Sequence, residues 1–229
     1  MLELFIANKN YSSWSLRPWV LMRELGIPFE EHFHEFVEGS RGDAFRSFSP
    51  SGKVPCLRDG ELVVWDSLAI VEYLAEKYEG VWPKDPAARA WARSAAAEMH
   101  SGFGALRSEC SMNCGVRVRL HAMSPDLLRD IRRLDELFTE GLRRFGGPLL
   151  TGKAFTAADA FYAPVAFRVQ TFGLPLSEAA LGYTKELLLR PAMQAWYEAA
   201  LRETYRERMH EDEVKQAGTW TADYRIQPI

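Results

Sequence analysis

The 229-residue chain contains little cysteine and carries nearly balanced charge. Its three cysteines are odd in number and widely scattered, which is typical of reduced thiols and not of a secreted domain held by disulfides. With 28 Lys and Arg against 31 Asp and Glu, the net charge of -3 provides no general attraction for nucleic acid or for an acidic membrane. We therefore expect that the protein binds neither nucleic acid nor a membrane.

Long apolar runs are also absent. No segment approaches the roughly 20 residues that cross a bilayer. The N-terminal residues lack the basic start and the small-residue cleavage site of a signal peptide. The sequence therefore predicts a soluble, cytoplasmic protein.

A metal site is not expected either. Cys110 and Cys114 are four residues apart and would share one face of a helix. Only His100 and His121 are close to them in sequence, which is too few ligands for a structural metal. We therefore interpret both cysteines as ordinary helix residues.

The first 79 residues combine strand and helix signals. Residues 2–7 predict a buried strand, and an amphipathic helix follows a polar loop and ends at Gly26. Residues 28–36 predict a second strand, parallel to the first because a helical crossover joins the two. A short helix is expected over residues 42–48.

The strands that follow should be antiparallel. The pair Asp59-Gly60 lies between the apolar segments 56–58 and 62–65 and favours a two-residue hairpin turn. A further helix begins at Asp66-Ser67. The order βαβ, α, ββα therefore predicts an α/β domain over residues 1–79.

The rest of the chain predicts an all-helical domain over residues 87–229, after a linker at 80–86. Strand signals end at the linker. Residues 87–145 predict two long helices with a break at 123–125, and the tail after Glu211 shows no periodicity. Further helices are expected over residues 156–170, 177–188 and 191–201.

Two serines, Ser12 and Ser13, lie between the first strand and the first helix. The start of a helix favours an anion, because its backbone N–H groups are unpaired and its dipole is positive there. A thiol with a pKa of about 8.5 is only about 3% ionised at pH 7, whereas a thiol with a pKa of about 6.5 is roughly three-quarters ionised. A hydroxyl at this position could supply part of that shift, or the serines could simply cap the helix.

The segment Lys53-Val54-Pro55 precedes a strand. A cis bond at Pro55 would turn the backbone N–H and C=O of Val54 outward, where an extended peptide could pair with them. The dipeptide alone favours trans, because most X–Pro bonds are trans.

The segment Trp65-Asp66-Ser67 ends a strand and opens a helix. Ser67 could bind a carboxylate while Asp66 binds an ammonium group, a combination that fits an α-amino acid head group. The alternative is an ordinary helix cap. A capping box at Thr156 and Asp159 is expected only to stabilise the fold.

Taken in order, these segments resemble the cytosolic glutathione transferase superfamily, most closely its serine-dependent zeta, tau and theta-like groups. Residues 12–17, Ser-Ser-Trp-Ser-Leu-Arg, are similar to the zeta motif Ser-Ser-Cys-Ser-Trp-Arg, with Trp14 in place of Cys. The resemblance implies a thioredoxin-like first domain with a mixed four-stranded sheet, glutathione as co-substrate, and a homodimer. It places the catalytic serine at Ser12, with Ser13 as the second candidate.

The resemblance also implies the residues that bind glutathione. Val54 would pair with the cysteinyl backbone in a geometry fixed by cis-Pro55. Asp66, where the family usually has Glu, and Ser67 would hold the γ-glutamyl end. The remaining residues implied at the glutathione site are Trp14, Arg41 at the glycyl carboxylate, and Lys53.

The electrophile pocket is implied between the loop after the first strand and the first long helix of the second domain. His100, Phe103 and Arg107 could line it, although core packing also suits Phe103. Three functions are compatible with this sequence: conjugation of glutathione to a hydrophobic electrophile in detoxification, glutathione-dependent isomerisation of the maleylacetoacetate type, and a noncatalytic binding protein with the same fold.

Overall fold

The structure is a computed structural model that describes residues 1–39 and 43–226. Arg41 lies outside the described residues. No helix within them is long and apolar enough to cross a membrane. The strands and α-helices are, in chain order, β1 (Leu2–Ala7), α1 (Ser13–Glu24), β2 (Phe29–His34), β3 (Cys56–Asp59), β4 (Leu62–Trp65), α2 (Ser67–Lys77), α3 (Pro86–Ser101), α4 (Gly104–Glu109), β5 (Val116–Leu120), α5 (Pro125–Phe145), α6 (Ala157–Phe172), α7 (Glu178–Leu189), α8 (Pro191–Arg202), α9 (Arg208–Ala217) and β6 (Gly218–Asp223).

Strands β1 to β4 form one mixed sheet in the order β2-β1-β3-β4. Strand β1 is parallel to β2, with Leu2 opposite Phe29, because α1 carries the chain back across the sheet. Strands β3 and β4 add as an antiparallel hairpin. The mixed four-stranded sheet and the helical region after it confirm the predicted fold class.

The local predictions for this sheet differ from the structure in two details. Asp59 pairs with Leu62, so the hairpin loop is Gly60-Glu61, one residue later than expected, and Gly60 adopts a positive φ of 60°. The helix predicted over residues 42–48 is, in its described part, a single 3₁₀ turn at Asp43–Phe45.

The second part of the chain is helical but also contains a two-stranded sheet, so the prediction that strands end at residue 80 is wrong. Strand β5 pairs antiparallel with β6, about 100 residues later in the chain. Val116 and Val118 point inward from β5, while Arg119 is exposed. This alternation is the strand signal that the sequence analysis overlooked.

The first long helix predicted after residue 87 is also wrong. Helix α3 ends at Ser101, and Phe103 has a positive φ of 55° that no continuous helix allows. Cys110 therefore follows the short helix α4, and Cys114 lies in the turn before β5, so the two cysteines do not share a helix. Both are buried free thiols, and burial raises the pKa of Cys110 to about 12.

Helix α6 forms the centre of the second part and is buried along nearly its whole length. The capping box predicted at its start is present. Asp159, fully buried, accepts hydrogen bonds from the backbone N–H of Leu150 and Thr156, both at 3.0 Å, and from the Tyr183 hydroxyl at 3.2 Å. Helix α6 also packs against α1, so the two predicted domains are in direct contact; their boundary stays a prediction.

Candidate active site

A cavity of about 1020 Å³ lies beside the N-terminal end of α1. It is lined by five of the residues that the sequence places at the site, namely Ser12, Ser13, Trp14, Lys53 and Val54. Apolar side chains, including Phe36 and Met112, form much of the remaining wall. Pro55, Asp66 and Ser67 do not line this cavity.

Ser12 occupies the N-cap position of α1, but its side chain caps no helix N–H among the described residues. Its hydroxyl instead donates to the Ser15 Oγ at 2.7 Å. The Ser15 Oγ also accepts from the backbone N–H of Ala7 at 3.3 Å. The capping interpretation therefore does not hold for the Ser12 side chain.

Two other hydroxyls line the cavity close to Ser12. Ser13, the first residue of α1, makes no side-chain hydrogen bond to any described residue. The Tyr11 hydroxyl donates to Glu211 Oε1 at 2.7 Å, and burial together with the Glu211 charge raises the pKa of Tyr11 well above its usual value. Tyr11 therefore stays protonated and bound to Glu211, whereas Ser13 remains available.

The Val54–Pro55 peptide bond is cis, as the sequence interpretation required. Within the described part of the chain, neither backbone group of Val54 forms a hydrogen bond. Val54 lies in the cavity wall next to Lys53, which is exposed. The Val54 backbone is therefore open to an extended peptide.

Asp66 and Ser67 lie at the start of α2. The Asp66 Oδ1 accepts from the Leu68 N–H at 2.8 Å, so this carboxylate does cap the helix, while its Oδ2 lies 3.5 Å from His100 Nε2. Ser67 is fully buried, and its Oγ accepts from Arg17 Nη1 at 3.3 Å. The Asp66 Oδ2 has room in its lone pairs for a partner besides the His100 ring.

Arg17 connects this second group of residues to the cavity. Its guanidinium carbon lies 4.1 Å from the centre of the Trp14 ring, while its Nη1 reaches Ser67. Burial, followed by the charges of Arg168 and Arg107, lowers the pKa of Arg17 to about 9. Arg17 was part of the motif in the sequence, but only the fold shows that it joins the two halves of the site.

The expected pocket residues of the second domain divide into three cases. Arg107 lines the cavity. His100 lies outside it, with its ring edge against Trp14 at a centroid distance of 5.3 Å. Phe103 is 6% exposed and packs edge-on against Tyr162, so it belongs to the core.

Helix α9, which the sequence analysis did not predict, forms another wall of the cavity. Glu211 on its buried side accepts from Tyr11, from Asn113 Nδ2 at 3.0 Å and from Arg225 Nη1 at 2.6 Å. Glu203, just before α9, accepts from the Lys9 N–H at 2.6 Å. The C-terminal segment therefore holds the loop that carries Ser12.

Across residues 1–39 and 43–226, no three His, Cys, Asp or Glu side chains are grouped so that they could hold a metal ion.

Residues 11–77 match the family described as "Glutathione S-transferase, N-terminal domain". The chain is 26% identical to the glutathione S-transferase-like protein OpS6 of Beauveria bassiana over 88% of this chain and 90% of that protein. It is 28% identical to glutathione S-transferase theta-1 of Rattus norvegicus over 78% of this chain and 74% of that protein. The theta class glutathione S-transferase of Xanthomonas axonopodis pv. citri, solved with glutathione bound, superposes with a TM-score of 0.63 at 25% identity, covering 86% of this chain and 96% of that one.

Residues 11–77 therefore match a glutathione S-transferase N-terminal domain, and the similarities over the longer part of the chain support the cytosolic glutathione S-transferase superfamily. The theta-class relatives among these matches favour the theta-like group, one of the three groups that the sequence resembles.

Proposed function

We propose that the protein is a glutathione transferase in which Ser12 holds the sulfur of glutathione as a thiolate for attack on a hydrophobic electrophile. The observation that carries the proposal is the position of the Ser12 hydroxyl. It lies at the N-terminal end of α1, in a cavity that also contains Val54, whose backbone pairs with no described residue. An anion is stabilised there by the helix dipole and by a hydroxyl donor.

Glutathione, the co-substrate, would lie across the start of both helices. The Val54 N–H and C=O pair with its cysteinyl backbone, and Asp66 and Ser67 bind the ammonium and the carboxylate of its γ-glutamyl end. Lys53 neutralises the glycyl carboxylate, and Arg41 is proposed as a second cation there. Three contacts along one tripeptide would bring its sulfur to Ser12.

The hydrogen bonds around Ser12 support its role as a donor. When the thiolate accepts a hydrogen bond from the Ser12 hydroxyl, the Ser15 hydroxyl can turn and donate to the Ser12 Oγ, while the Ala7 N–H continues to donate to Ser15. Donors arranged in such a chain polarise one another and strengthen the last bond. Ser15 is therefore a positioning residue for Ser12.

The reaction itself needs only the thiolate and a held electrophile. The thiol proton passes to solvent when glutathione binds and ionises. The sulfur then forms a bond to the electrophilic carbon, and the leaving group departs with its electron pair. Apolar side chains such as Trp14, Phe36 and Met112 line the space that the electrophile would fill.

Substitution of Ser12 tests the proposal. Ser12→Ala should retain glutathione binding and lower kcat with chlorodinitrobenzene by about tenfold to a thousandfold, the usual effect of one placed donor. Thiolate absorbance in the ultraviolet should show a raised pKa of the bound sulfur. Ser15→Ala should give a smaller change in the same direction, and Ser13→Ala serves as the matched control.

The outcome separates the candidate roles. Unchanged turnover and thiolate pKa in Ser12→Ala would contradict the role of Ser12, and a larger loss in Ser13→Ala would transfer the role to Ser13. No glutathione-dependent reaction in the unmodified protein, together with no thiolate absorbance, would instead identify a noncatalytic binding protein.

A glutathione-dependent isomerase of the maleylacetoacetate type is the second candidate. The serine-rich segment that ends in Arg17 favours it, because that segment is similar to the zeta motif and its first three residues, 12–14, line the cavity. In this reaction the thiolate adds to the substrate and later leaves. Turnover of maleylacetone in place of chlorodinitrobenzene would support it, and its absence would remove it.

We also propose that the protein acts as a homodimer in the cytoplasm and serves in detoxification. These proposals rest on the resemblance to the superfamily. Gel filtration with light scattering would test the dimer, and a monomer at micromolar concentration would contradict it.

A further inference from the structure

Three arginines from three separate helices lie together beside the cavity. Arg17 on α1 and Arg107 on α4 place their guanidinium carbons 4.1 Å and 5.3 Å from the centre of the Trp14 ring. Arg168 on α6 donates from its Nε to the carbonyl of Cys110, the residue that follows α4, at 2.8 Å. Burial, and further the charge of Arg107, lowers the pKa of Arg168 to about 10. The three cations therefore repel one another across a partly dry region.

None of the three is within ion-pair distance of a carboxylate belonging to residues 1–39 or 43–226. Arg17 donates to the Ser67 hydroxyl, and Arg107 donates to the His100 carbonyl at 3.3 Å. Arg168, only 4% exposed, donates to the carbonyls of Cys110 at 2.8 Å and Pro164 at 3.4 Å. Buried charges are costly unless an opposite charge compensates them.

The positions of the three arginines indicate different roles. Arg17 does not line the cavity and is bonded to Ser67, so it belongs to the end where the γ-glutamyl group would bind. Arg107 and Arg168 do line the cavity, near the apolar Met112. Among the described residues, the Nη2 of Arg168 makes no hydrogen bond.

The acidic residues of the cavity lie at its α9 side, away from these two arginines, and Glu38, Glu207 and Asp212 have other partners. Glu207 is bonded to His210 Nδ1 at 2.7 Å. Glu38 and Asp212 lie 4.0 Å and 3.6 Å from the guanidinium of Arg208. Glu213 is exposed on α9. Outside the cavity lining, the Asp130 carboxylate accepts from the Leu106 N–H at 2.9 Å and attracts the Arg107 guanidinium without coming within ion-pair distance of it. Among the described residues, no carboxylate thus pairs directly with Arg107 or Arg168.

We propose that the electrophile carries a carboxylate, which Arg107 and Arg168 bind while its apolar body packs against Met112. This inference rests on the proposed function and deepens it by naming the substrate class. A guanidinium fits a carboxylate well, because its planar donors can form two parallel charge-assisted hydrogen bonds.

A pair of electrophiles that differ only in charge tests the proposal: chlorodinitrobenzoate and its neutral methyl ester. In both, the thiolate sulfur bonds to the carbon that bears chlorine, and chloride leaves with the bonding electrons. The ratio of kcat/KM for acid over ester should exceed the ratio of the uncatalysed rates. Arg107→Gln should lower this ratio about tenfold to a hundredfold, the range for charge-assisted hydrogen bonds, with the KM for glutathione unchanged.

Two further variants make the test specific. Arg168→Lys keeps the charge but loses the planar donors, and it should lower the ratio while the protein stays folded, as checked by circular dichroism. Arg208→Gln is the matched control, since it removes a cavity cation that already has carboxylate partners, and it should leave the ratio unchanged.

The results distinguish a failure of the proposed carboxylate site from a failure of the proposed transferase activity. Turnover of both substrates in the uncatalysed ratio, or an equal fall of the ratio in Arg208→Gln and Arg107→Gln, would overturn the carboxylate site and leave the transferase intact. No turnover of either substrate would contradict the transferase itself.

Discussion

The stability of the C-terminal segment should depend on one buried carboxylate, Glu211. Its two oxygens accept hydrogen bonds from Tyr11, Asn113 and both terminal nitrogens of Arg225. Glu211→Ala would leave the Tyr11 hydroxyl and the Asn113 amide without this acceptor, and of the two described ion-pair partners of Arg225 it would leave Asp223. The Arg225 side chain is 2% exposed, so water cannot easily replace the lost carboxylate.

The expected loss of stability in Glu211→Ala follows from the burial of this ion pair. Removing one partner of a buried ion pair costs about 3–5 kcal/mol in the free energy of unfolding. For a chain of this length, each kcal/mol lowers Tm by about 2–4 °C, so Glu211→Ala should melt about 6–20 °C below the unmodified protein. Thermal and urea unfolding, each followed by circular dichroism, measure the change. Turnover at a temperature where the variant is folded should also fall, because α9 forms one wall of the cavity.

Glu213→Ala on the same helix is the control. Glu213 is exposed, and its removal should change the free energy of unfolding by less than about 0.5 kcal/mol. Glu211→Gln keeps an acceptor oxygen without the charge and should fall between the two. A loss below about 1 kcal/mol for Glu211→Ala would refute the reasoning, since it would mean that the buried bonds are replaced at little cost.

Two further predictions concern the interior. Asp159→Ala should lower the free energy of unfolding by more than about 3 kcal/mol, because several buried donors lose their acceptor. Urea unfolding measures this loss, with Asp126→Ala on the exposed surface of α5 as the control. A loss below about 1 kcal/mol for Asp159→Ala would contradict the prediction. The thiols of Cys56, Cys110 and Cys114 should resist alkylation at about pH 8 in the native protein, because burial raises the pKa of each thiol. All three should react after unfolding, and mass spectrometry would count the labels. Labelling of these thiols in the native protein would contradict their burial.

The fold of the first 79 residues could be predicted because each element depends on neighbours in sequence. A helix between two strands sets their direction, and Asp59-Gly60 sets the hairpin to within one residue. Strands β5 and β6 could not be found in this way. Each is short, and its only partner in the sheet lies about 100 residues away.

The site residues likewise differ in whether local sequence or tertiary packing determines their position. Ser12, Val54 and Ser67 each lie close to the end of a strand or the start of a helix, so local sequence marks them. Arg107 and Arg168 follow no such rule, because tertiary packing brings them to the cavity: Arg107 lies over Trp14, and Arg168 on α6 bonds the Cys110 carbonyl that follows α4. The part of the site that would bind a shared co-substrate is thus encoded locally, whereas the part that would select the electrophile is encoded by tertiary packing. Related chains could therefore keep the first part while the packing of these helices changes the second.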